Sequence, residues 1–163
     1  MSSEVTFVIL SFEGPDRYSH SGGLGSRVTE LSGTLASMGF ETHLFFIGDP
    51  ELPDYEELIG NSKLHLHRWC QWISRHHLGG VYDGEEGKLR DWERSLPPWL
   101  EEELLGPKLA SGGSVVVMAE EWHTAGSMIA LHEILVPGAG RTGSINSGTL
   151  TILSLSIELT GTG

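Results

Sequence analysis

The clearest hydrophobic patterns along the chain predict buried β-strands. Val5–Phe12 is a run of β-branched and aromatic residues, which is typical of a strand inside a parallel sheet. Glu41–Ile47 and Ser114–Ala119 predict two more strands, and Gly48-Asp49-Pro50 ends the first of these. Lys63–His67 is a candidate for a further strand.

Apolar residues at helical spacing separate these strands. Val28, Leu31, Leu35 and Met38 recur three and four residues apart, which predicts one buried helix face ending before Gly39. Further helices are predicted at Glu85–Arg94, at Trp99–Leu105 after the pair Pro97-Pro98, and at Thr124–Leu135.

The first 47 residues therefore form a βαβ unit, in which a glycine-rich loop over 17–25 joins strand to helix. The crossover of such a unit is right-handed. The predicted fold class is α/β, a Rossmann-like parallel sheet flanked by helices.

Composition limits the classes of function. The chain has 163 residues, room for one domain, with 10 basic and 22 acidic residues and a net charge of −12. That charge opposes binding to nucleic acid phosphates and to anionic membranes. One cysteine, Cys70, allows no internal disulfide. Met1–Glu4 lacks the basic start of a signal peptide, and no run is long enough for a membrane span, so we expect a cytoplasmic protein without a membrane span.

The end of the chain differs in composition from the rest. Residues 137–163 contain two charged residues, Arg141 and Glu158, and no aromatic residue, while nine of these 27 residues are Ser or Thr. Leu150–Leu159 alternates in a way that suits a strand. We therefore divide the chain into a domain over 1–136 and an aberrant low-complexity tail over 137–163.

The first candidate site is the loop Gly22-Gly23-Leu24-Gly25 between the first strand and its helix. Glycines let the backbone approach a ligand closely, and N–H groups at a helix start attract phosphate. The spacing is neither that of the dinucleotide-binding fingerprint nor that of a P-loop. A flexible surface turn is the alternative interpretation.

The second candidate site is Glu120-Glu121-Trp122-His123, directly after the strand at Ser114–Ala119. Ligands of open α/β sheets bind beyond the carboxyl ends of strands, where His123 would serve for hydrogen bonding or acid/base chemistry. The alternative is an ordinary helix start, with His123 exposed on the surface.

The other candidates favour structural roles. His65 and His67 would share one face of a strand, but scattered histidines and one cysteine offer no standard metal-site spacing, so we expect no metal. Cys70, between Trp69 and Trp72, is expected to be a packed small hydrophobe rather than a nucleophile. The acidic group Asp83, Glu85 and Glu86 suits a solvated loop better than a pair of hydrolytic carboxylates.

Taken together, these segments resemble the N-terminal half of a retaining GT-B glycosyltransferase of the glycogen/starch synthase-like kind. The family has Lys-x-Gly-Gly-Leu in the first loop, matched by Ser21-Gly22-Gly23-Leu24, and Gly-His-Glu-Val before the second strand, where this chain has Gly39-Phe40-Glu41-Thr42-His43. It also has Asp-Trp-His after a core strand, matched by Glu121-Trp122-His123. The resemblance covers residues 5–48 and 114–135.

The resemblance implies transfer of a sugar from a nucleotide-sugar donor to a glycan or small-molecule acceptor, with retention and without a cofactor. It implies substrate-binding roles for Gly22, Gly23, Leu24 and the Glu121-Trp122 pair, and a place for His123 beside the transferred sugar as the catalytic residue. The leaving diphosphate needs stabilisation by dipoles and cations. The chain departs from the family at the loop lysine, replaced by His20 or Ser21, and at Glu121, which replaces aspartate.

Since GT-B active sites lie between two Rossmann-like domains, the resemblance implies that this chain supplies the acceptor-side domain of an incomplete GT-B fold and does not itself transfer sugar. Codons permitted for Ser147–Gly163, read in another frame, give WNANN within an aromatic and charged peptide, and WNANN resembles a stretch of this family. We therefore expect a shifted frame from about Pro137. The alternatives are a stand-alone α/β module that binds a phosphorylated small molecule, and a flavodoxin-like or response-regulator fold, for which Glu13 and Asp16 match poorly.

Overall fold

A computed structural model describes residues 4–58, 60–61, 63–135 and 148–155. The strands are β1 (Val5–Leu10), β2 (Glu41–Ile47), β3 (Tyr55–Glu57), β4 (Leu64–Trp69), β5 (Ser114–Glu120) and β6 (Thr149–Leu155). The helices are α1 (Gly23–Ser37), α2 (Gln71–Ser74), α3 (Glu85–Trp99), α4 (Gly106–Ala110) and α5 (Ala125–Leu135). A π-helical segment, Leu100–Leu105, joins α3 to α4, and a 3-10 turn, Trp122–Thr124, precedes α5.

The described strands form one sheet in the order β3-β4-β2-β1-β5-β6. All neighbours pair in parallel except β3 with β4, which pair antiparallel. The chain winds from β1 outward to β2 and β4, and then returns to β5 on the other side of β1. The α/β, Rossmann-like fold class predicted from the sequence is therefore confirmed, with a topological switch point between β1 and β5.

The sheet separates two apolar cores, as the alternation of side chains along each strand requires. On one face Ile9, Leu44 and Phe46 pack with Val28 and Ala36 of α1. On the other face β1, β2 and β5 pack beneath α3, the π-helical segment and α5, and Trp92 of α3 is fully buried there. Both faces of the central strands are covered, which explains why these strands are continuous apolar runs.

Helix α1 begins earlier than the sequence predicts, because the Gly22–Gly25 run belongs to its start. Gly22 is the N-cap residue, and Gly23 opens the first turn. A Cβ on Gly25 would lie 2.9 Å from His20 Nδ1 and 3.2 Å from the Gly14 carbonyl oxygen, so this turn packs too closely against the preceding loop to accept a side chain without adjustment. Val28 is buried as predicted, whereas Met38 is 66% exposed after the helix. Gly39 follows it with φ +93°, as a residue beyond a helix end should.

The prediction of a new helix at Pro97-Pro98 is wrong. Helix α3 runs through both prolines and continues as the π-helical segment and α4. An apolar stripe at spacings of four, formed by Trp92, Leu96, Leu100 and Leu104, is buried along one side of this stretch. Burial of that stripe outweighs the hydrogen bonds that the prolines cannot donate.

The remaining differences lie at the edges of the sheet. Strand β3 is not apparent from the sequence, since it is three residues long and acidic. Of the strand predicted at Leu150–Leu159, residues 150–155 belong to β6, and 156–159 lie outside the described residues. Most of the tail for which we expect a shifted reading frame, residues 137–147 and 156–163, is likewise outside them. Among the helices of the described ranges, none combines the length and apolar character needed to cross a membrane.

Candidate functional site

The loop that leaves β1 folds around the carboxylate of Glu13. This side chain is buried, and its Oε1 accepts hydrogen bonds from the backbone N–H groups of Ser21 and Gly22, each at 2.7 Å. Glu13 thus occupies the position beside these two N–H groups that the sequence suggested for a ligand phosphate. No side chain caps the start of α1, and the N–H groups of a first helical turn have no partner within the helix. The positive end of this helix therefore faces the carboxyl edge of the sheet with the Glu13 carboxylate beside it, while the N–H groups of its first turn have no partner within the helix.

The glycines of the loop differ in their surroundings. A Cβ on Gly23 would meet nothing within 4 Å, and one on Gly22 would meet only Glu13 Oε1, at 4.0 Å. Leu24 instead packs, partly buried, against the core beneath α1. The backbone at Gly22 and Gly23 can thus be approached closely from outside, whereas the Leu24 side chain is part of the core.

His123 lies beyond the carboxyl end of β5, and it is buried rather than exposed. Only 4% of its surface is accessible. Its ring stacks on Phe12 at 4.5 Å and on Trp122 at 3.8 Å between ring centroids. Nε2 contacts Oε1 of Glu85, at the start of α3. Nδ1 lies 3.5 Å from Oε2 of Glu121 and makes no hydrogen bond. The ring is therefore fixed, with one polar atom left unsatisfied.

A second unsatisfied polar atom lies at the end of β5. The Glu120 side chain is almost fully buried and pairs through Oε2 with the guanidinium of Arg27 in α1, while its Oε1 has no hydrogen-bond partner. Burial raises the pKa of Glu120 above its ordinary value. The Arg27 side chain is 48% exposed, so a cation is accessible beside the glycine loop.

The structure brings the two sequence-predicted loops to the same edge of the sheet. Strands β1 and β5 are parallel neighbours, so their carboxyl ends are adjacent. Phe12 contacts His123, and the next residue, Glu13, binds the loop at Gly22. The ring of Tyr82 lies 5.4 Å from that of His123. The glycine loop and His123 thus flank the switch point of the sheet, the position at which open α/β sheets bind ligands.

A cleft of about 430 Å³ adjoins this edge. It lies between residues 17–21, from the loop after β1, and residues 78–83, from the loop before α3. Asp49, just beyond the end of β2, also lines it. Arg17 and His20 contribute basic groups to its wall, and Leu78, which is 74% exposed, contributes an apolar one. A small polar ligand has room here.

Several residues at this edge were missed by sequence reasoning. Glu85 was interpreted as part of a solvated acidic loop, and Glu13 was considered only as a poor match to a response regulator. Tyr82 and Arg27 were not singled out. No local sequence pattern indicates these residues, because their partners are distant in the sequence. Arg27 pairs with Glu120, and Glu85 pairs with His123.

The backbone at Glu121 is strained. Its φ of 67° and ψ of 169° lie in a region that essentially only glycine adopts, at a cost of about 1–3 kcal/mol. Glu121→Gly is therefore expected to be more stable than Glu121→Ala by about 1–2 kcal/mol. Urea unfolding of the two variants measures the difference. Both lack the carboxylate, so equal stabilities would show that the backbone at this residue stores no strain.

Comparisons with protein-family models, with curated protein sequences and with solved structures give no match to this chain.

Proposed function

We propose that this chain is the acceptor-side domain of a retaining, nucleotide-sugar-dependent glycosyltransferase. The observation that supports the proposal best is that the Gly22-Gly23 loop and His123 lie on either side of the switch point between β1 and β5. Both segments carry the motifs that resemble the glycogen/starch synthase-like family. A resemblance in two separate motifs gains weight when the fold brings them together.

In this proposal the edge binds the transferred sugar and its phosphate groups. The start of α1 supplies the N–H groups of its first turn, next to the Glu13 carboxylate, and the half-exposed guanidinium of Arg27, which is paired with Glu120, supplies the cation that the missing loop lysine would have provided. The exposed ring of Trp122 offers an apolar surface beside the polar atoms. His123 is held by Phe12 and Glu85, and in this proposal its buried Nδ1, which has no hydrogen-bond partner, binds a sugar hydroxyl after the exposed Trp122 ring that stacks on it moves aside. In this proposal a second domain completes the active site for the transfer, as in the family that the sequence resembles.

The proposal is tested by NMR titration of the ¹⁵N-labelled chain with a nucleotide sugar, UDP-glucose or ADP-glucose. We expect shift changes centred on Gly23, Leu24 and His123. His123→Gln, which removes the imidazole but keeps a polar side chain, should weaken sugar-dependent binding about tenfold, the value of one hydrogen bond. His132→Ala, at an exposed position of α5, is the matched control and should bind like the wild type. Shift changes confined to another part of the sheet would contradict the proposal.

The second candidate function is a stand-alone module that binds a phosphorylated small molecule. The N–H groups in the first turn of α1 and the cleft of about 430 Å³ favour it, since neither feature requires a sugar. Micromolar binding of a nucleoside diphosphate without any sugar, unchanged in His123→Gln, would support this module. The transferase would be supported instead if the affinity for a sugar nucleotide rises only after a second domain is joined to the chain.

A further inference from the structure

Three histidines, His43 of β2 and His65 and His67 of β4, form a cluster on the face of the sheet that α3 and α4 cover. The strand register pairs His43 with His65 and Phe45 with His67, so the three histidines lie on one face of the sheet. Glu41 precedes His43 by two residues in β2 and shares that face. From the sequence, only His65 and His67 were expected to share a face. The usual metal-site spacings are local, whereas here strand pairing brings His43 and Glu41 beside them from a distant segment.

The geometry of the cluster suits a shared ligand. One donor atom each from Glu41, His43 and His65 lies within 4.8 Å of the other two. Glu41 Oε1 is 3.0 Å from His43 Nε2. The rings of His43 and His65 stack with centroids 4.4 Å apart. An ion lies in the plane of each imidazole that binds it, so the stacked rings of His43 and His65 must turn about their Cβ–Cγ bonds before their nitrogens reach the roughly 2.0–2.2 Å at which zinc is bound.

Each of these three residues is also held at its other polar atom. Lys108 of α4 donates to Oε2 of Glu41. Nδ1 of His43 lies 2.8 Å from Nε2 of His67, and Nδ1 of His65 lies 2.6 Å from the Tyr55 hydroxyl. Metal-ligating histidines and carboxylates characteristically have such outer hydrogen bonds, which fix the ring tautomer and the side-chain orientation.

We propose that Glu41, His43 and His65 bind one divalent transition-metal ion of the zinc class. Two imidazoles and one carboxylate suit zinc, with water as the fourth ligand. His43 binds through Nε2 and donates its Nδ1–H to His67, which serves as a positioning residue with Tyr55 and Lys108. A cleft of about 420 Å³, lined by His43, Tyr55 and His67, gives the ion a path from solvent. The ion joins β2 to β4 and stabilises this side of the sheet.

The test measures Zn²⁺ binding to the full chain by titration calorimetry after treatment with EDTA. We expect one Zn²⁺ per chain and, at 100-fold excess over Kd, a rise in Tm of about 5–10 °C. His65→Ala should weaken binding at least about 100-fold, and Tyr55→Phe about 10-fold. His76→Ala, at an exposed histidine outside the cluster, should bind as tightly as the wild type.

Co²⁺ substitution provides a second measurement. A four-coordinate site should give intense visible absorption bands in the wild type and in His76→Ala but not in His65→Ala. Tyr55 is 47% exposed, so Tyr55→Phe tests the site even if His65→Ala fails to fold. The proposal is overturned if the wild type binds no stoichiometric Zn²⁺. It is also overturned if His65→Ala folds and binds Zn²⁺ as tightly as the wild type. If His65→Ala does not fold, the same result for Tyr55→Phe overturns it.

Discussion

Replacement of Arg68 by methionine is expected to lower the free energy of unfolding by about 3–5 kcal/mol. Arg68 and Asp16 form a buried pair, with side chains 3% and 5% exposed. Nε and Nη2 of the guanidinium donate to the two Asp16 carboxylate oxygens at 2.8 and 3.0 Å. The methionine leaves Asp16 buried with its charge uncompensated, which is the costly way to break such a pair.

The pair also holds the loops at the carboxyl edge. Asp16 Oδ2 accepts the backbone N–H of Asp49, and Arg68 Nη1 donates to the Pro53 carbonyl oxygen. Urea unfolding of Arg68→Met should therefore show a lower midpoint. The matched control is Arg90→Met, which removes an exposed helical ion pair with Glu86 and should change stability by less than about 0.5 kcal/mol.

A double variant separates the two contributions of this pair. Adding Asp16→Asn to Arg68→Met removes the unpaired carboxylate charge, so part of the lost stability should return. The comparison is with the loss of stability that Asp16→Asn causes in the wild type. If adding Asp16→Asn to Arg68→Met lowers the free energy of unfolding by that same amount, the two side chains are not coupled, and burial of the pair has no electrostatic consequence.

The first βαβ unit shows how far the sequence predicts this fold. Strand β2 has the predicted bounds, and Gly39 follows α1 as expected, because apolar periodicity and a glycine after a helix are local signals. The continuation of α3 through Pro97 was not predictable locally. It depends on burial of Trp92 and Leu96 against a sheet whose strands lie elsewhere in the sequence.

The candidate site was predictable only in part, for the same reason. Position at the end of a strand drew attention to the glycine loop and His123, and parallel pairing of β1 with β5 brings those ends together. Burial of His123 against Phe12 was not expected, since the histidine had been considered either functional or exposed. Cys70 is buried as predicted, and burial raises the pKa of its thiol, so it is not an activated nucleophile.

Lys88 is expected to make the stability of the protein rise with pH above about pH 8. This residue of α3 is fully buried, and its Nζ donates to the Tyr18 hydroxyl at 2.8 Å and to the carbonyl oxygens of Gly80 and Val81 at 2.9 and 3.1 Å. Burial lowers the pKa of Lys88 from 10.5 to about 8. Below that pH both folded and unfolded chains carry the proton, and the folded state bears the cost of the buried charge.

Between about pH 8 and 10.5 the unfolded chain binds a proton that the folded chain has released, so the free energy of unfolding increases with pH. The full change is about 3 kcal/mol, since one pKa unit corresponds to about 1.4 kcal/mol. The thiol of Cys70 acts in the opposite direction at high pH, because burial raises its pKa, so the comparison must be made with a variant. The difference in stability between the wild type and Lys88→Met should therefore grow in favour of the wild type from pH 7.5 to 9.5.

Chemical unfolding at a series of pH values measures this difference, and Lys63→Met, at an exposed lysine, is the control that should show none. A difference for Lys88→Met that stays constant across the range would show that the ammonium keeps its ordinary pKa. The result matters for the candidate site, because Lys88 binds the backbone of Gly80 and Val81, next to Tyr82. A neutral amine donates at most two hydrogen bonds, so release of the proton should leave one of the three acceptors, the Tyr18 hydroxyl or the carbonyl oxygens of Gly80 and Val81, without its donor.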